Sequence, residues 1–426
     1  MHNTDERKRI FFSAGEPSGD LHAAELIEAI KNNTDNVDCV GFGGPKMREA
    51  GCELLHDMTS LAVMWIARAL WNIRKFIAMV DEADAYFAAN KVDVVVLVDF
   101  PGFNWWIARR AKKRGIPVVY FMPPQIWSWA TWRIKKMKRL IDYIFCSLPF
   151  EKRWFDGHGC NVVYVGHPFF EEVRNRTPDM QFIDDIRNAI AENEKIVTLL
   201  PGSRNQEVHG NFDDFLSTAL KICSEMPNVK FFVAAFKDAH KEWMEQRLKE
   251  RNVSDITICV GKTPELIKVA DCCLAVSGSV SLELLANNKP SIIYYKVSQL
   301  GLFVQRFFRR SRYITLTNLL AVDREDELRN DKTVKQSIFY TEFPIPKELS
   351  AEDQARAPFP EFLTAKDRSD EVSRLILSWL RDAKQLETRR EELAALLKFV
   401  DNGESTVSLA ADFLMKLCEN HGSGSD

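Results

Sequence analysis

Short runs that are apolar on both faces alternate along this chain with stretches whose apolar residues recur every three or four positions. The first half reads "RIFFSAG" then "LHAAELIEAIKNN", "VDVVVLVDF" then "WWIARRAKKRG", followed by "IPVVYFM", "YIFCSL" and "NVVYVG". Strands buried on both faces and separated by helices make a parallel sheet covered on each side. After residue 190 the series restarts: "KIVTLLPG", a helical pattern at 211–225, "VKFFVAAF", another at 239–251, "ITICVG", "CCLAVSGS", a helix at 280–287 and "PSIIYY". Between the two series, "HPFFEEVRNRTPDMQF" loses the strand pattern and is punctuated by Pro168 and Pro178. The pattern predicts an α/β protein of two doubly wound parallel-sheet domains facing a cleft, residues 1–170 and 171–402. Segment 323–357, charged and broken by two prolines, reads as an insertion in the second that covers the cleft or packs on the surface, the surface being favoured. Helical patterns at 370–398 and 403–418 close the chain, the last a candidate to pack back on the first domain.

Composition narrows the class. Hydrophobic residues at 46% and charged residues at 27% describe an ordinary globular protein of 426 residues. The 57 basic residues nearly cancel the 60 acidic ones, so no global field recommends nucleic acid as a partner. Nine cysteines without CxxC spacing fit a reducing cytoplasm, and the polar N-terminus with no run of eighteen apolar residues predicts neither a signal peptide nor a span. Histidines are dispersed and no acidic pair stands in the cleft loops, so neither a metal nor another cofactor is expected.

Ligands of doubly wound sheets sit beyond the carboxyl ends of the strands, which directs attention to the strand-to-helix loops. "VSGSVSLELL" puts Ser277, Gly278 and Ser279 between a strand and a helix, where backbone N–H groups attract phosphate oxygens. Glu283, one turn later, is placed to reach a ribose diol. "LLPGSRNQE" adds Gly202 for a tight turn, Ser203, and Arg204, whose guanidinium fork suits a diphosphate. Read singly, these are a capped helix and a surface cation; together they read as a nucleotide-diphosphate clamp.

The first domain offers acids and hydroxyls. "SAGEPSGD" carries Glu16 and Ser18, the latter also a candidate helix cap, with Asp20 suited to the first turn. "VVVLVDFPGFN" ends a buried strand on Asp99, a carboxylate able to take a proton from an attacking hydroxyl, or simply a turn aspartate. His167 in "VGHP" is either a cleft residue or a satisfied hinge histidine.

Three stretches point to a lipid surface. "LAVMWIARALWNIRKF" (61–76) is apolar nearly all round, with Val63, Met64, Trp65, Leu70 and Trp71 as candidate membrane contacts. "QIWSWATWRIKKMKRL" (125–140) mixes three tryptophans with five cations, and "FVQRFFRRSRY" (303–313) repeats the theme. Each is otherwise a core helix with a solvated basic face.

With "AGEPSGD", "GFGGPKM", "LAVM", "VDFPGFN", "PQIWSW", "LPFEK", "VGHP", "LLPGSR", "SGSVSLE" and "TNLLA" in this order, the chain resembles the lipid-A-disaccharide synthases, inverting glycosyltransferases of two Rossmann-like domains in the GT-B arrangement. The resemblance covers about residues 10–322 and resumes near 358. It implies transfer of 2,3-diacylglucosamine from its UDP donor to 2,3-diacylglucosamine 1-phosphate, giving a β-1,6-linked disaccharide phosphate and UDP. By motif, Asp99 becomes the base, Arg204 the diphosphate contact, Ser277 to Glu283 the nucleotide site, Ser18 an acceptor-side residue and Asn318 a further cleft residue. The family also implies peripheral association with the inner face of the cytoplasmic membrane and a homodimer with exchanged C-terminal segments. Thr317 and Thr364 depart from the family's usual proline and glutamine. A UDP-sugar 2-epimerase of the same fold and a non-catalytic nucleotide-sugar or membrane-binding module are the competing readings.

Overall fold

The computed structural model describes residues 7–59, 73–328, 338–340, 344–401 and 403–422. The chain divides into two compact units, Met1–Glu171 with Asn402–Asp426, and Glu172–Asp401. The first is built on seven strands: β1 (Lys8–Ala14), β2 (Val37–Gly43), β3 (Glu53–Asp57), β4 (Val94–Val98), β5 (Val118–Phe121), β6 (Tyr143–Cys146) and β7 (Val162–Tyr164). They lie in the order β3-β2-β1-β4-β5-β6-β7, every pair parallel. The second holds β8 (Lys195–Leu200), β9 (Val229–Ala235), β10 (Ile256–Val260), β11 (Cys272–Ala275), β12 (Ser291–Lys296) and β13 (Glu361–Thr364), ordered β10-β9-β8-β11-β12-β13, again parallel throughout.

Central strands such as β4, "VVVLV", are buried along their whole length, because helices shield both faces. Chain order reverses between β1 and β4 in one sheet and between β8 and β11 in the other. A doubly wound sheet leaves a crevice where its order reverses, beyond the carboxyl ends of those strands. The loops after β1, β4, β8 and β11 carry most of the candidate residues, His167 after β7 and Asn318 in helix Leu316–Leu328 being exceptions.

Three strands escaped the hydrophobic pattern: β2, the edge strand β3, and β13, whose four residues pair with β12 from Ile293↔Glu361 onward. The pattern at 370–398 is two helices, Ser369–Arg381 and Ala383–Val400, because the Asp382 side chain accepts from Lys384 N and Gln385 N and restarts the helix. Helix Thr406–Gly422 packs against Pro17–Asn33 and adds Ala410, Ala411, Leu414 and Cys418 to the first unit's core.

The expected surface insertion at 323–357 is corrected in its described parts. Helix Leu316–Leu328 runs straight into it, and Asp323, Ile338, Ile345 and Asp353 are buried. Tyr313 donates its hydroxyl to the Asp353 carbonyl at 2.8 Å, and Arg312 pairs with the Asp353 carboxylate at 2.8 Å, which ties this charged segment into the second unit. Among the described residues no helix is long and apolar enough to cross a membrane. Val63, Met64, Trp65, Leu70 and Trp71 lie outside the described residues.

Candidate active site

In the first unit the loop after β4 is held in an unusual shape. Asp99 and Phe100 both adopt the left-handed conformation, φ 47° and 44°, which non-glycine residues rarely visit. Asn104 pins the turn: fully buried, it donates to the carbonyls of Asp99 at 2.8 Å, Val98 at 3.2 Å and Ser13 at 3.2 Å, and accepts from the Ser13 hydroxyl at 2.7 Å. Tyr120 donates its hydroxyl to the same Asp99 carbonyl at 2.7 Å. Gly15 is required opposite, since a Cβ there would fall 2.2 Å from the Phe100 ring. The asparagine of "VDFPGFN" is thus the residue that fixes the aspartate, and backbone strain is borne by its amide.

The Asp99 carboxyl has its pKa raised by desolvation, against the Phe100 N–H and the charge of His22, which lower it. Glu16, at the start of helix Pro17–Asn33, is raised by burial and then by Asp99 itself. His167 is pushed down to about 4 by burial, with His22 adding to the effect, and its Nδ1 accepts from Phe169 N at 3.2 Å. Neutral His167 therefore carries its proton on Nε2. Asp99, Glu16, His22 and His167 make one electrostatically coupled group at the carboxyl ends of the strands, and a carboxylate raised toward neutrality is suited to proton abstraction.

One expectation in this loop is revised, and Asp20, which does lie in the first turn of Pro17–Asn33, has a further role. Ser18 lies inside the first turn rather than at its cap, which is Glu16; no side-chain cap bond is made there. Asp20 serves a different helix: buried, it accepts from Gly44 N at 2.7 Å, Lys46 N at 3.0 Å and Met47 N at 3.1 Å, at the start of helix Pro45–Glu49. This joins "AGEPSGD" to "GFGGPKM", and explains Gly44, where a Cβ would meet an Asp20 oxygen at 2.5 Å. "PQIWSW" and "LPFEK" are likewise joined, by Trp127 Nε1 donating to Glu151 Oε1 at 2.8 Å.

In the second unit Gly202, Ser203, Arg204, Ser277, Gly278, Ser279 and Glu283 all line one cavity of about 500 Å³ beyond β8, β9 and β11. Gly202 has φ 120°, and a Cβ would sit 2.5 Å from that of Glu207. Glu207 accepts from Ser203 N at 3.1 Å and Arg204 N at 3.2 Å, so the start of helix Asn205–Glu225 already has its anion. Arg204, its side chain 82% exposed, reaches Glu207 at 3.2 Å and is otherwise presented to the cavity. Ser277 Oγ donates to the Ile314 carbonyl at 3.0 Å, which leaves Ser279 and the open surface of Gly278 for a ligand. Buried Glu283 accepts from Arg176 Nη1 at 2.6 Å; desolvation raises its pKa and Arg176 opposes the rise.

Asn318, expected in the cleft, is an internal staple. It has no exposed surface, donates to the Phe359 carbonyl at 2.8 Å and to Glu361 at 3.3 Å, and accepts from Phe359 N at 3.0 Å. Sequence reasoning passed over Arg176, His22 and Glu207. Glu207 was findable, three residues after Arg204 at a helix start; Arg176 carries no local signal.

Residues 10–338 match the family profile described as lipid-A-disaccharide synthetase. The chain belongs to the lipid-A-disaccharide synthase family. It is 33% identical over 313 residues to the lipid-A-disaccharide synthase of Myxococcus xanthus, covering 74% of this chain and 81% of that one. It is 29% identical over 402 residues to lipid-A-disaccharide synthase 1 of Legionella pneumophila, covering 94% and 95%. A lipid-A-disaccharide synthase is a glycosyltransferase, working on a nucleotide-sugar donor and an acceptor. The fold is also that of a putative UDP-N-acetylglucosamine 2-epimerase from Listeria monocytogenes, with TM-score 0.55, 8% identity, and 99% and 98% of the two chains covered. A glycosyltransferase from Rickettsia africae gives TM-score 0.53 at 9% identity, with 99% and 100% covered.

Proposed function

We propose that this chain transfers 2,3-diacylglucosamine from its UDP derivative to 2,3-diacylglucosamine 1-phosphate, with inversion at the anomeric carbon. One observation carries the donor half: seven residues picked from two distant loops converge on a single cavity at the switch point of the second sheet. Arg204 and the N–H groups after Ser279 take the diphosphate, and Glu283, oriented by Arg176, takes the ribose diol.

In the first unit Asp99 accepts the proton of the acceptor's 6-hydroxyl as that oxygen bonds to the donor's anomeric carbon. The bond from that carbon to the β-phosphate oxygen breaks at the same time, and its electron pair leaves with UDP, whose charge Arg204 offsets. A single displacement with one base inverts the centre, so no covalent intermediate is required. Glu16, whose own pKa is raised by burial and by Asp99, stands beside the base, and Ser18, exposed in the first turn of helix Pro17–Asn33, supplies an acceptor-side hydroxyl.

The acyl chains bring the enzyme to a membrane surface. Trp106, Trp129 and Trp132 are exposed on the first unit, with Arg109 over Trp106 at 4.7 Å and Arg133 over Trp129 at 4.9 Å. Trp127 of the same stretch is instead buried. On the second unit, helix Gln299–Phe308 exposes Leu300, Phe303 and Phe308. Indoles and cations suit the headgroup region.

Incubating the protein with both acylated substrates tests the reading: UDP and a disaccharide phosphate form only when both are present. Conversion of UDP-N-acetylglucosamine to its 2-epimer without an acceptor would establish the epimerase in its place.

A further inference from the structure

We infer that the second unit carries another ligand site, at the outer edge of β13, built to hold an oxyanion borne on an apolar body. A cavity of about 590 Å³ lies there, within the size range of small-molecule sites, and shares no lining residue with the donor cavity. It is bounded by the edge strand itself, by helix Ala351–Arg356, and by residues of helices Ser369–Arg381 and Ala383–Val400.

Two guanidiniums line it with N–H groups left unfilled, although Arg389 Nη1 donates to the Pro358 carbonyl at 3.4 Å. Nε and Nη1 of Arg309, and Nε of Arg389, are withdrawn from solvent and have no hydrogen-bond partner. Glu361, whose charge acts on Arg309, is already engaged: it accepts from Ile314 N at 2.8 Å, Thr315 N at 3.0 Å and Asn318. Arg389 is stacked on Trp379, its guanidinium carbon 4.6 Å from the ring centroid, which fixes the plane of its fork. Burial holds both arginines below the usual arginine range.

Arg368, in the same cavity, shows what a structural arginine looks like here, paired with Glu371 at 2.6 Å and Glu348 at 2.8 Å. An N–H group of a cation that is withdrawn from water and unpaired destabilises a fold, and a ligand that supplies the missing acceptor offsets that cost. Guanidinium forks match phosphate and carboxylate oxygens two at a time. Leu349, Phe362 and Leu375 furnish the apolar wall. The ligand is therefore a small organic oxyanion, and the site is independent of the donor-site reading.

The test is calorimetric titration of the full chain with phenyl phosphate, benzoate and inorganic phosphate, beside the Arg309→Gln, Arg389→Gln and Arg204→Ala variants. Phenyl phosphate or benzoate is expected to bind more tightly than inorganic phosphate, equally well to wild type and Arg204→Ala, and at least about tenfold more weakly to either cavity variant. Which of the two organic probes binds tighter identifies the head group. Arg309→Met, which removes the idle cation, is expected to melt no lower than wild type without ligand and to lose the ligand-induced rise in melting temperature. The inference is overturned by unchanged affinity in Arg309→Gln and Arg389→Gln, by binding lost only in Arg204→Ala, by no saturable binding of any probe, or by a ligand-free Arg309→Met that melts lower than wild type.

Discussion

Glu151 offers a stability test whose size follows from its surroundings. It is 2% exposed, accepts from Trp127 Nε1, and burial pushes its pKa up to about 7 from an ordinary 4.5, with Trp127 and the Ser147 and Leu148 N–H groups pulling the other way. An acid whose folded pKa lies above its unfolded one holds its proton more tightly when folded. Stability is therefore highest below about 4.5, falls as pH rises through the interval to about 7, and stays low above it. The gap corresponds to about 3 kcal/mol in all, of which about 2.5 kcal/mol is lost between pH 5 and pH 8. Glu151→Gln keeps an acceptor for Trp127 and cannot ionise. The difference in unfolding free energy between variant and wild type should then grow in the variant's favour by about 2.5 kcal/mol from pH 5 to pH 8. For a unit of this size that is a relative melting shift of about 5–10 °C. Urea unfolding followed by tryptophan fluorescence at both pH values measures it. Parallel pH profiles for the two proteins would refute a protonatable, strongly desolvated Glu151.

Asp99→Asn should lower kcat by about 100-fold or more with UDP affinity intact, whereas Arg204→Ala should weaken UDP binding, both read by UDP titration and turnover assays. Because Asp99 must be ionised to act and its pKa is raised, wild-type kcat/KM should climb with pH through that raised value, and a pH–rate profile of Asp99→Asn should lose the limb. Asp20→Ala strips three N–H groups, those of Gly44 and Met47 buried, of their acceptor and should cost about 2–3 kcal/mol in urea unfolding. Gly202→Ala forces a side chain into φ 120° and into Glu207, and should both destabilise the protein, seen by melting, and weaken UDP binding.

Much of the candidate site was legible because its residues belong to loops whose place in a doubly wound sheet is implied by alternating strands and helices. Gly202, Arg204 and Ser277 to Glu283 could be assigned to one sheet end before any contact was known. What each group does there was less legible. Ser18 and Asp20 look alike as helix-start residues, yet Ser18 makes no cap and Asp20 serves a helix 25 positions onward. Asn318 reads as a polar residue in a conserved-looking motif, and only its two bonds to Phe359 show that it is internal.

Periodicity and turn chemistry act over a few residues, so the chain alone determined most of its strands and helices, the restart near residue 190 and the loops where ligands gather. Pairings between distant residues depend on which surfaces meet once the layers pack. Arg176 on Glu283, Asn104 on the Asp99 turn, Trp127 on Glu151 and the return of helix Thr406–Gly422 to the first unit were therefore decided by tertiary structure. The unfilled N–H groups of Arg309 and Arg389 belong to the same class, since whether such a group is paired depends on neighbours that no local pattern records.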